Sequence, residues 1–141
     1  MDKVELKLVG AFVAALPIAW ERERATRIMG LRTFPLVAVA SCGYVLVAVG
    51  VVGASEDAQA RVIAGLMTGI GFIGGGAILK EGKNVRGTAT AASIWTIGVV
   101  GAAVAYGRYE IAAVVSLITF LTLQVLTPLT KEPGSPDAKE Q

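Results

Sequence analysis

Residues 62–100 read VIAGLMTGIGFIGGGAILKEGKNVRGTATAASIWTIGVV: an apolar run loaded with glycine, a short basic loop, and a second apolar run rich in alanine and threonine. Gly65, Gly69, Gly71, Gly74, Gly75 and Gly76 fall within the first eighteen positions. In water each would cost a helix roughly 1 kcal/mol against alanine, so a soluble helix would not carry six. In a bilayer, small side chains let backbones approach where lipid supplies no hydrophobic drive, and Gly65 to Gly69 has the GxxxG spacing of such contacts. The stretch therefore predicts two membrane helices joined by a basic loop.

The rest of the chain agrees. Hydrophobic residues make up 54% of 141 positions, glycine numbers 17, and the mean hydropathy is +0.64. These values depart together from the usual globular mix and point to a polytopic membrane protein. A net charge of +2 is too small to imply a nucleic-acid partner. Histidine is absent and Cys42 is the single cysteine, so disulfides, Cys or His metal sites and His-dependent triads cannot be built. No catalytic residue, metal or cofactor is expected.

Five spans of about 20 residues fit the sequence, an all-α architecture over residues 1–130: about 4–20, 34–53, 62–79, 88–106 and 111–129. The first is interrupted by Glu5 and Lys7, but it has no small-residue cleavage site before ERER and is read as a retained span. Residues 131–141, KEPGSPDAKEQ, read as a disordered cytoplasmic tail. Lys and Arg divide nine to four between alternate sides, which places the N-terminus outside and the C-terminus in the cytoplasm. Trp20, Tyr106 and Tyr109 read as interfacial anchors, and Trp95 and Tyr44 as packing residues.

Three constellations stand out. In WERERATRIMGLRT, a helical continuation of the first span would pair Glu23 with Arg27 and Glu21 with Arg24, with Gly30 ending it. Together with Arg32 these form a charged cluster at a membrane boundary, where carboxylates often serve a salt-bridge network or a binding site. In KEGKNVRGTATAAS, Lys80, Lys83 and Arg86 alternate with Gly82 and Gly87, Asn84 reads as a turn residue, and Thr88 or Thr90 as the N-cap of the fourth span. Cations and glycine before a helix N-terminus favour an anion: a phosphate, a lipid headgroup, or a carboxylate such as Glu21 or Glu23. In the third span, Gly65, Gly69, Gly71 and Gly75 place small residues on more than one face, which predicts a central helix and suggests a homodimer.

At these residues the chain resembles the MgtC/SapB family of bacterial inner-membrane proteins. The match lies in ERE and GLRT at 21–33, GIGFIGGGAIL at 69–79 and NVRGTATAASIW at 84–95. The resemblance implies a five-helix membrane domain with a cytoplasmic C-terminus. It covers that domain alone and not the soluble ACT-like domain that many members add. It also implies an association with growth under magnesium limitation and survival inside host cells. Carried over, it marks Glu21, Glu23, Arg27 and Arg32 and the loop residues Asn84, Arg86, Gly87 and Thr88 as functional positions. The expected function is therefore a non-enzymatic protein of magnesium homeostasis, in contact with membrane lipid and other inner-membrane proteins. The alternative is a small oligomeric transporter or channel. Direct magnesium conduction fits poorly, because the second to fifth spans as drawn contain no carboxylate.

Overall fold

The computed structural model of the chain describes residues 2–27, 29–126 and 128–130; the tail expected to be disordered lies outside them. The fold is all-helical apart from one small hairpin. Helices α1 (Lys3–Thr26), α2 (Thr33–Val52) and α3 (Glu56–Gly76) lead into strands β1 (Leu79–Glu81) and β2 (Asn84–Arg86). Helices α4 (Thr88–Ala105) and α5 (Tyr109–Leu126) and a 3-10 turn at Pro128–Thr130 follow. Three helices, α2, α4 and α5, are long and apolar enough to cross a membrane. Charge dilutes the other two: α1 contains both its end clusters, and α3 opens on Glu56, Asp57 and Arg61.

Local chemistry sets the helix ends. The Asp2 N–H donates to Glu5 Oε2 at 3.2 Å in a capping box that starts α1. That helix ends at Arg27, which takes the left-handed conformation (φ 54°), and not at Gly30 as the sequence suggests. Gly30 is needed elsewhere. A Cβ there would lie 2.6 Å from Glu23 Cα and 2.7 Å from the Ala19 carbonyl oxygen, so only glycine lets the α1–α2 loop fold back onto the last turns of α1.

The glycine triplet is the last turn of α3, which stops three residues short of the expected bound. The N–H groups of Ala77 and Ile78 reach the carbonyls of Gly74 and Gly75 at 3.0 and 3.1 Å, tightening the helix end. What reads as a basic loop is a β-hairpin pairing Leu79 with Arg86, Lys80 with Val85 and Glu81 with Asn84. Gly82 (φ 62°) supplies the positive φ at the tip, so Asn84 is a strand residue and not the turn residue expected of it.

The central helix is α4, not α3. It packs against α1, α2, α3 and α5, whereas α3 rests chiefly on α4 and α2. The reason lies in α4's own small residues, TATAASIWTIGVVGAAVA. A Cβ at Gly98 would collide with Ile70 of α3, and one at Gly101 with the Ala38 carbonyl and with Ser41 Cβ of α2. Gly74 completes the set, its Cβ position 3.1 Å from the Ala91 carbonyl oxygen. Ile94, Ile97 and Val100 of α4 and, around it, Ile18, Phe34, Ala38 and Cys42 are all fully buried.

Hydroxyls in this interior bond to carbonyls, as a low-dielectric setting requires. Ser41 donates to the Val37 carbonyl (2.7 Å) and Ser93 to that of Ala89 (2.6 Å). Two tie α5 to its neighbours: Ser116 donates to the Ala14 carbonyl (2.8 Å) and Thr119 to the Thr96 hydroxyl (3.2 Å). At the opposite end from the hairpin, Lys7 Nζ donates to the Ala105 carbonyl at 2.6 Å, a cation on the negative end of α4. Trp20, Tyr106 and Tyr109 are exposed near helix ends. Tyr44 and Trp95, read as packing residues, are exposed as well.

Candidate functional site at the charged end

The C-terminal ends of α1 and α5, the N-terminal end of α2 and the hairpin gather at one end of the bundle, because consecutive helices pack together through short connections. Here sit the described residues' only buried charges, Glu21 and Arg22. Arg22 Nε donates to Glu21 Oε2 at 2.6 Å and Nη2 to Oε1 at 3.0 Å, with side chains 4% and 10% exposed. The two-bond fork is the strong form of an arginine–carboxylate pair. Adjacent helix residues normally point apart. Arg22 turns back toward Glu21 because it lies on the buried stripe of α1, after Ala11, Ala15, Ile18 and Ala19.

The sequence did not single out Arg22. The signal was present: its spacing of four from Ile18 and seven from Ala15 continues the apolar face of α1. Beside the pair lies a cavity of about 290 Å³ lined by Glu21, Arg24, Ala25, Leu123, Gln124 and Pro128, which brings the end of α5 into the site.

The expected pairs Glu21–Arg24 and Glu23–Arg27 do not form. Among the described residues the ion pairs are Arg22–Glu21 and the exposed Arg108–Glu110 at the opposite end. Glu21 is taken by Arg22. Glu23 Oε2 accepts the Leu31 N–H at 3.1 Å and so fastens the returning loop. Arg27 has left the helix, and with Glu23 and Arg24 it borders an open polar recess of about 460 Å³. Arg32 is the N-cap of α2, exposed and without a side-chain capping bond.

In the hairpin, Asn84 and Arg86 are exposed on β2. The N-cap of α4 is Gly87 (φ 86°), not Thr88 or Thr90; Thr88 is the first helical residue and Thr90 is buried. A Cβ at Gly87 would collide with the Ala77 carbonyl, since the base of the hairpin crosses the end of α3. That position requires glycine on two counts, positive φ and close approach. Among the described residues no ion pair joins the hairpin cations to Glu21 or Glu23, and no three acidic, Cys or His residues cluster as metal ligands. At Gly65, Gly69, Gly71 and Gly75 of α3, nothing lies within 4 Å of a Cβ, so within the chain these glycines contact no neighbour there.

Known proteins place this arrangement. The chain is 40% identical over 124 residues to Protein MgtC of Brucella abortus, covering 88% of this chain and 51% of the relative. Against Protein MgtC of Salmonella typhimurium the identity is 35% over 113 residues, 80% of this chain and 48% of the relative. An uncharacterized protein of Synechocystis is 36% identical over 125 residues, 89% of this chain and 53% of its own length. The chain thus spans about half the length of these relatives. No solved structure matches it. The sequence profile of the MgtC family matches residues 8–132, the charged end included, and the chain belongs to that family.

Proposed function

We propose that the chain is a non-enzymatic, multi-pass protein of the bacterial inner membrane that serves adaptation to magnesium limitation through contacts with other membrane proteins. All five helices span in this reading, with the charged end in the cytoplasm. The family relation supports the magnesium role, and the nine-to-four bias of Lys and Arg supports the orientation. One observation carries the choice of a contact protein over a pore. The described residues' only buried charges are spent on each other at one end of α1, and the other buried polar groups are Ser41, Thr90, Ser93 and Ser116. A magnesium path would present oxygen ligands and carboxylates along its length.

The face of α3 with Ala64, Thr68, Gly71 and Gly75, spaced by three and four and all exposed, suits a second copy of the chain. Two experiments test the whole. A strain lacking the chain should grow poorly at limiting magnesium and be restored by the wild type but not by Arg22→Ala. Purified protein in liposomes should leave magnesium and common anions where they are. Specific flux lost in Arg86→Ala or Asn84→Ala would overturn the reading in favour of the oligomeric transporter, with its site at the hairpin.

A further inference from the structure

A groove between α2 and α3 plays no part in the charged site. Its floor is Ser41 and Ile70, both buried; Tyr44, Val47 and Val51 form an exposed rim; on the α3 wall, Gly65 and Gly69 leave gaps between Val62, Leu66 and Ile73. We propose that this groove holds an anionic phospholipid, its hydrocarbon lying along α2 and α3 and its phosphate at Arg32 and the hairpin cations.

The groove runs the roughly 24 Å from Leu36 to Val52 with a volume of about 870 Å³, within the ~300–1,000 Å³ of sites that enclose small ligands. Its lining is almost wholly apolar along that length, which suits hydrocarbon.

Charge then fixes which lipid and which end. Arg32 precedes Leu36 by four residues, one helical turn beyond it, and so continues the stripe Leu36, Ala40, Tyr44 that lines the groove. On the other wall α3 stops one turn past Ile73 and gives way to the hairpin with Lys80, Lys83 and Arg86, all exposed. Beyond the opposite mouth, α3 opens on the acidic Glu56 and Asp57, with Arg61 a turn later. A negative headgroup is attracted to the first end and repelled from the second, so the lipid comes from the leaflet at the charged end. The inference rests on the reading that α2 and α3 both span.

Native mass spectrometry of the full chain, released from nanodiscs of equal phosphatidylglycerol and phosphatidylcholine, tests it. One phosphatidylglycerol should remain bound in preference to phosphatidylcholine by well over tenfold, since each basic residue near the surface contributes about fivefold. Arg32→Ala should cut that preference several-fold while lipid still binds. Gly69→Leu, whose side chain enters open space in the groove, should abolish retention of both lipids; Gly65→Leu is the second filling variant, and circular dichroism verifies that each is folded. Equal retention of the two lipids would overturn the charge assignment. Retention unaffected in both folded filling variants would overturn the groove assignment, as would a dimer that Gly69→Leu dissolves with no lipid bound. Glu56→Cys and Lys83→Cys, labelled from either side of vesicles, test the span reading alone.

Discussion

Removing either member of the Glu21–Arg22 pair should harm the protein far more than removing both. With Glu21→Ala the Arg22 guanidinium, 4% exposed, loses its counter-charge and both hydrogen bonds. With Arg22→Ala the carboxylate is stranded instead, and the arginine stem leaves the buried face of α1. Each single substitution should destabilise by about 3–5 kcal/mol, the range for breaking a buried pair by deleting one partner. The adjoining cavity of about 290 Å³ opens a way for water to reach Glu21, which argues for the lower end. The double variant Glu21→Leu/Arg22→Leu should return to within about 1 kcal/mol of wild type, because apolar groups carry no uncompensated charge. Reversible unfolding in mixed micelles, followed by circular dichroism, gives the cycle. An interaction beyond about 2 kcal/mol between the two sites is expected. Two singles that each cost under about 1 kcal/mol and simply add in the double would refute the argument, since the pair would then be hydrated and its burial of no energetic consequence.

Other perturbations separate the roles of the glycines. Gly101→Val must push α2 from α4 at the Ala38 carbonyl, and a loss of about 1–3 kcal/mol is expected in the same unfolding assay. Gly87→Ala forces a left-handed alanine, at about 1–2 kcal/mol, onto the Ala77 carbonyl; it should expose the hairpin to proteolysis, and a wild-type cleavage rate would contradict the packing described. Gly71→Leu and Gly75→Leu touch nothing within the chain, so they should leave unfolding unchanged yet reduce the dimer fraction measured by light scattering. If those substitutions melt the monomer and leave its oligomeric state alone, the face packs inward and the homodimer reading fails.

The sequence shows the five helices plainly because length and hydropathy are local properties, and each expected span falls on one of α1 to α5 within a few residues at most bounds. Which helix is central was hidden. Glycine abundance drew attention to α3, but what matters is what stands opposite each glycine, and Gly98 and Gly101 face neighbours while Gly65 and Gly69 do not. The charged end was half legible. Its members could be found from ERE, but their partners depended on where α1 stops, and a left-handed arginine three residues past the last glutamate–arginine repeat is not a pattern that spacing reveals. The hairpin was missed for a related reason: three residues per strand are too few for a period, and only the match of Gly82 to a turn tip pointed to it.

That α4 touches every other helix has a consequence for how the protein is made. The ribosome delivers α1, α2 and α3 before the helix on which all three pack. Until then, Ala38 faces no Gly101, Ile70 no Gly98, and Lys7 waits for a carbonyl 98 residues downstream. The early helices can form only provisional contacts, α1 with α2 and α2 with α3, so the order of synthesis postpones commitment to a final arrangement until the fourth segment arrives. A nascent chain halted near residue 87 would hold α1 against α2 but lack the helix that fixes α3 and closes the core.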